Sequence, residues 1–120
     1  MNRRNFIQSQ GATCRNWHWS WSFVNHTDKV VIFGAWDIDI DTDNSMILCE
    51  TWQFNKKGRK NCGYKQSLEH VLLIDNEGYQ LKTFPMKHAK TSNGSSKISD
   101  FTPHLADKNL RKKGSGWWAY

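Results

Sequence analysis

Trp17, Trp19 and Trp21 alternate with His18, Ser20 and Ser22 just ahead of Phe23 and Val24. Strand side chains point to opposite faces in turn, so this spacing predicts a strand over Asn16–Val24 with the indoles and Phe23 on one face. An indole row is costly to leave in water. It is either covered as folding core or kept open as a flat surface for a nucleobase or a cation. The chain holds seven tryptophans in 120 residues, enough to serve both ends, and the sequence does not divide them.

Around that row the pattern is mixed. Asn25-His26-Thr27-Asp28 supplies turn residues and Val30–Trp36 reads as a second strand, giving a hairpin in which Gly34 marks a bulge or a close backbone approach. Asp37–Ser45 reads as an acidic loop and Met46–Phe54 as a third strand. Asn55–Asn61 is a basic turn. Tyr64, Leu68, Val71 and Leu72 recur at helical spacing, predicting a helix near 62–76 with a Lys65–Glu69 pair outside and Gly78 at its end. Tyr79–Phe84 alternates as a strand that Pro85 stops. A mobile loop is expected over about 87–97, where nothing is available to bury. Short strands close the chain at Ile98–Phe101 and Leu110–Tyr120, the latter broken at Gly114-Ser115-Gly116. The expected architecture is a single α+β domain over 1–120: a curved, mostly antiparallel sheet or partial barrel with one main helix.

Charge narrows the partner. Residues 1–54 carry four Lys or Arg against six Asp or Glu, a balance of −2, whereas residues 55–120 carry thirteen against five, a balance of +8. That asymmetry favours a polyanion, nucleic acid above all, over a merely solvated basic surface. No apolar run reaches the roughly 18–20 residues of a membrane span, and no signal peptide is evident, so a soluble, cytoplasmic protein with no membrane partner is expected. Cys14, Cys49 and Cys62 form no CxxC pair and read as free thiols rather than a zinc site.

Enzyme signals are weak. Asp39 to Glu50 follows the EF-hand loop pattern, but Asn44 replaces the turn glycine and both flanks read as strand. A metal-dependent nuclease reading combines Asp37 or Asp39 with Glu50 and Lys56, yet Glu50 and Lys56 are too far apart for a Glu-x-Lys face. His18, His26, His70, His88 and His104 are scattered. No catalytic residue, metal site or cofactor is assigned.

Binding signals are stronger. Lys56, Lys57, Arg59, Lys60 and Asn61 precede the helix, where free N–H groups favour phosphate, and Lys108, Arg111, Lys112 and Lys113 form a second basic cluster. A solvated turn is the bland alternative. Extruding a base from a duplex costs a few kcal/mol, and stacking it on a ring returns about 1–3 kcal/mol per contact. A subset of Trp17, Trp19, Trp21, Trp36 and Trp52 is thus a candidate base pocket, with Asp37 at its edge to accept a hydrogen bond from an exocyclic amine.

Several stretches taken together resemble a known family: Ala12 to Val24 with its Trp-x-Trp-x-Trp, Ile32-Phe-Gly-Ala-Trp36-Asp37, Gly58-Arg-Lys-Asn61 with Tyr64, Gln66, Glu69 and His70, Glu77-Gly-Tyr79 with Phe84-Pro-Met86, and Gly116-Trp-Trp118-Ala119. The pattern is similar to the N-terminal sensor modules of HNH-type, modification-dependent (McrA-like, type IV) restriction endonucleases. The resemblance implies a DNA-binding sensor of modified double-stranded DNA, with cleavage left to an HNH nuclease domain elsewhere in a parent protein. A PUA-like barrel is the fold it implies by analogy. The alternatives are a sequence-tolerant single-strand binder and a small metal-dependent nuclease.

Overall fold

The computed structural model describes residues 3–15, 17, 20–36, 40–41, 44–54, 58–90 and 96–120. The predicted hairpin forms from β1 (Ser22–Asn25) and β2 (Val30–Trp36), antiparallel with Phe23 opposite Ile32. Asn25 shapes its turn: its Oδ1 accepts from the Asp28 N–H at 3.0 Å, and its amide donates to the Asp28 carboxylate at 3.0 Å. The turn residues therefore act as the sequence implies, through side chain-to-backbone bonds.

The chain then leaves this sheet. β3 (Ile40–Asp41) and β4 (Asn44–Cys49) pair antiparallel, so the predicted acidic loop contains a short strand. The third strand ends at Cys49 rather than Phe54, and Glu50–Gln53 turns as a 3-10 helix. The reason is the neighbour. β4 pairs with β9 (Gly116–Ala119) only as far as Cys49 opposite Gly116, and the next N–H, of Glu50, is taken by the carbonyl of Ser115 in the turn before β9. β8 (Leu110–Lys113) completes this sheet in the order β3-β4-β9-β8.

α2 (Cys62–Glu77) matches the predicted helix and ends at Gly78, whose φ of 72° is left-handed. It returns the chain to β5 (Gln80–Lys90), which lies parallel to β2. A parallel neighbour requires such a long crossover. Pro85 does not stop the strand. Its carbonyl accepts from Thr102 at 2.9 Å, on the edge of β5 away from β2. There β6 (Ser96–Phe101) pairs up to Met86, and β7 (Ala106–Lys108) pairs only with Leu81 to Thr83. Pro85 falls in the gap between the two partners, where a missing N–H costs no ladder bond. Much of the predicted loop over 87–97 is thus strand, since β5 and β6 satisfy each other's backbone without needing apolar side chains; residues 91–95 lie outside the described set.

The β1-β2-β5-β6 sheet is buried on both faces. Val31, Phe33 and Leu81 pack with Ile47, Leu48, Val71, Trp117 and Ala119 toward α2 and the second sheet. Ile32, Phe23, Phe84 and Met86 pack on the opposite face with Phe6 and Ile7 of α1 (Arg3–Ser9), a helix the sequence reading missed. Fully burying each such Phe or Ile contributes about 1.5–3 kcal/mol. Gly34 leaves room for the Met86 side chain: a Cβ there would run into its Sδ and Cε. Among the described residues the architecture is α+β, with two helices, one mixed sheet and one antiparallel sheet that are not closed into a barrel.

Candidate nucleic-acid interface

The predicted tryptophan strand begins only at Ser22, and residues 17 and 20–21 are turn or irregular. Side-chain bonds to α2 replace a strand ladder there. The Gln66 amide donates to Ser20 Oγ at 2.7 Å and its carbonyl accepts the Arg15 N–H at 2.8 Å. Ser22 Oγ lies 2.9 Å from Ser67 Oγ and 2.6 Å from Nδ1 of His70.

The indole row consequently splits. Trp17 stacks on Phe23 at 5.6 Å in the core beside α1, with the Arg4 guanidinium over its ring and that of Arg3 over Phe23. Burial holds Arg3 below its ordinary pKa. Trp21 meets Trp52 edge to face at 6.2 Å, packed on the core beneath α2. Trp21 and Trp52 are brought together; Trp17 lies across the sheet from them. Trp36 pairs through its backbone with Met86, while its side chain, Trp19, Asp37, Lys56 and Lys57 fall outside what is described.

The two ends of the basic turn are held together, while residues 55–57 between them lie outside the described set. Phe54 and Lys60 form a bridge, the Asn61 N–H donates to the Gln53 carbonyl at 2.9 Å, and the Asn61 amide donates to the Trp52 carbonyl at 2.8 Å. Asn61, expected on phosphate, thereby fastens the base of the turn. Arg59 and Lys60 are exposed, as a phosphate grip requires.

The second basic cluster is ordered by aromatic rings. On the outer face of the β8–β9 hairpin, Arg111 lies over Tyr120 at 5.1 Å and Lys113 over Trp118 at 5.7 Å. Lys112 points to the other face, over Trp117 at 4.9 Å, and pairs with Glu50 at 3.1 Å. Met46 stands opposite Trp118 in the next strand and extends the outer face. Strand alternation predicts this division, because Trp118 shares the side of its cross-strand partner Arg111.

A cleft of about 420 Å³ opens between residues 13–15, β1 and α2, lined among others by Thr13, Arg15, His26, Glu69 and His70. Arg15 pairs with Glu69 at 2.9 Å, taking the partner expected for Lys65. His26 Nδ1 lies 2.9 Å from the hydroxyl of Tyr79. His70 is pushed down to about 4, first by burial, then by the charges of His26 and Arg15, so it is neutral near pH 7. None of these cleft residues was among the predicted site residues; the stripe Gln66-Glu69-His70-Leu73, on one helix face, is the signal that marks them.

Cys14 and Cys49 are free thiols, and no cluster of three or more His, Cys, Asp or Glu able to hold a metal is present among the described residues. Asp39 and Asp43 of the EF-hand-like stretch lie outside them. No helix among the described residues is long and apolar enough to cross a membrane. Compared with known proteins, the chain matches no family model, no curated protein and no solved structure.

Proposed function

We propose that this chain is a module that binds duplex DNA and reads a modified base. The outer face of the β8–β9 hairpin carries the reading. Arg111 and Lys113 are exposed, yet each is positioned over a ring, so cations are pre-oriented for phosphate beside flat surfaces suited to sugars and bases. Arg59 and Lys60 add a second grip at the start of α2. The cleft is large enough for an extruded base, and there the Glu69 carboxylate takes the part expected of Asp37, accepting from an exocyclic amine. The modification itself, and cleavage by a separate HNH domain, rest on the family resemblance.

The test is a binding panel of otherwise identical duplexes carrying plain, methylated, hydroxymethylated, glucosylated or backbone-modified nucleotides, titrated with salt. One modified duplex should bind tightest, with log K falling by about 0.9 per log unit of salt for each phosphate neutralised. Replacing Arg111 and Lys113 by Gln should flatten that slope equally for all duplexes. Glu69→Gln should instead erase the preference and leave the slope. Affinity that ignores both salt and modification would end the proposal. The half-buried rings of Trp118 and Tyr120 on an open sheet face favour a single-strand binder as second reading, which competition by unpaired oligonucleotides distinguishes.

A further inference from the structure

His70 is 6% exposed, and its Nδ1 is the ring nitrogen that the fold occupies. Nδ1 lies 2.6 Å from Ser22 Oγ, which lies 2.9 Å from Ser67 Oγ, and both serines are fully buried. Among the described residues the Ser67 hydroxyl bonds to Ser22 alone. The Ser67 proton therefore goes to Ser22, and the Ser22 proton goes to Nδ1. The reverse direction would strand the Ser67 proton in the core without an acceptor, a cost that outweighs an ordinary bond. This relay assigns the imidazole proton to Nε2.

No buried side-chain nitrogen or oxygen among the described residues lacks a partner. Nε2–H, which bonds to none of those residues, thus stands open to the cleft that His70 lines. Gln66 on the same wall has both ends of its amide committed, to Ser20 and to the Arg15 N–H. Glu69, next to His70 on α2, also lines the cleft, and Arg15 holds it through one oxygen, Oε2. Consecutive residues of one helix therefore offer an acceptor and a neutral donor to the same space.

We propose that His70 is a second reading group of the cleft, its Nε2–H donating to the ring nitrogen beside the amine that Glu69 receives. The inference rests on the base-reading function above and narrows it to one chemical class. Cytosine and adenine share this amidine edge, an exocyclic amine next to a bare ring nitrogen, and an extruded base is read along that edge. Thymine has no amine for Glu69. Guanine presents a ring N–H beside its amine, so donor would face donor at His70. A site built around a fixed hydrogen bond rejects a base lacking it strongly, because the donor is left buried and unpaired.

The experiment measures binding of the full chain to duplexes that differ at one position, set opposite an abasic site so that no pairing has to be broken. That position holds cytosine, adenine, thymine, guanine, 3-deazacytosine or 1-deazaadenine. The deaza bases keep the amine and replace the ring nitrogen by C–H. Wild type should bind cytosine or adenine about tenfold more tightly than its deaza analogue, the loss expected when a buried donor goes unpaired. Whichever pair shows the difference identifies the base. His70→Asn keeps an amide at the Nδ1 position and leaves nothing at Nε2, so it should bind base and analogue equally with an unchanged salt slope. His70→Gln brings an amide donor near the Nε2 position and should restore part of the discrimination. Equal binding of both base–analogue pairs by wild type, tightest binding of thymine or guanine, or discrimination that persists in His70→Asn overturns the role of His70. The base-reading function survives that result if the preference for a modified duplex stands; a wild type without that preference overturns the function itself. Circular dichroism reports whether each variant folds, and the wild-type comparison decides alone where one does not.

Discussion

At the scale of single residues, the buried polar strip between the 20–22 segment and α2 has the clearest consequence. Ser20, Ser22, Gln66, Ser67 and His70 are all buried, and each finds a hydrogen-bonding partner in the strip. With His70 neutral, its Nδ1 is free to accept from the Ser22 hydroxyl. In the unfolded chain a histidine takes up a proton near 6.5, whereas folded His70 holds out to about 4. Between those values the unfolded state binds the extra proton, so stability falls as pH drops from about 6.5 to about 4, by up to about 3 kcal/mol. His70→Gln is expected to lower stability at pH 7 but to flatten this decline, which urea titrations of both proteins at a series of pH values will measure. A parallel decline in the two proteins would show that His70 is not its source. Ser20 and Ser22 also explain the misread strand: serine alternating with tryptophan imitates the period of a half-exposed strand, while the hydroxyls are in fact bonded to a helix far along the sequence.

Among the elements, those legible in sequence are the ones specified locally. The Asn25–Asp28 turn, the α2 periodicity and its Gly78 terminus depend on near neighbours, and each formed as read. The 3-10 turn after Cys49 and the passage of β5 through Pro85 depend on where a distant partner stops or leaves, which no window of sequence contains. The candidate site divides in the same way. Charge and ring content of the last hairpin are visible in sequence, but the pairing of Trp21 with Trp52, and the separation of both from Trp17, follows from which core each side chain enters. Gly34 tests the packing of β2 on β5. Gly34→Ala is expected to cost about 1–3 kcal/mol by overpacking Met86. Met86→Ala should recover part of that loss in the double variant, as thermal melts of the four-protein cycle will show. Independent, additive losses would mean that the two residues do not collide.

For the whole molecule, the acidic and basic halves of the sequence are not separate lobes. β5 from the second half lies beside β2 from the first, β9 lies beside β4, and Lys112 pairs with Glu50 across the divide. The excess cations are therefore displayed on a scaffold to which both halves contribute. Trp117 and Ala119 belong to the main core, so the final hairpin is structural as well as basic. Removing residues 109–120 is expected to abolish the cooperative melt rather than merely weaken DNA binding; a truncated chain that still unfolds in one sharp transition would refute this. The inner place of β9 between β4 and β8 also sets an order of events during synthesis. Cys49 emerges from the ribosome long before Gly116, its eventual neighbour, so one rim of β4 stays unzipped until β9 has been made. The nascent chain is then open to capture by other polypeptides, and its last core strand is also its latch.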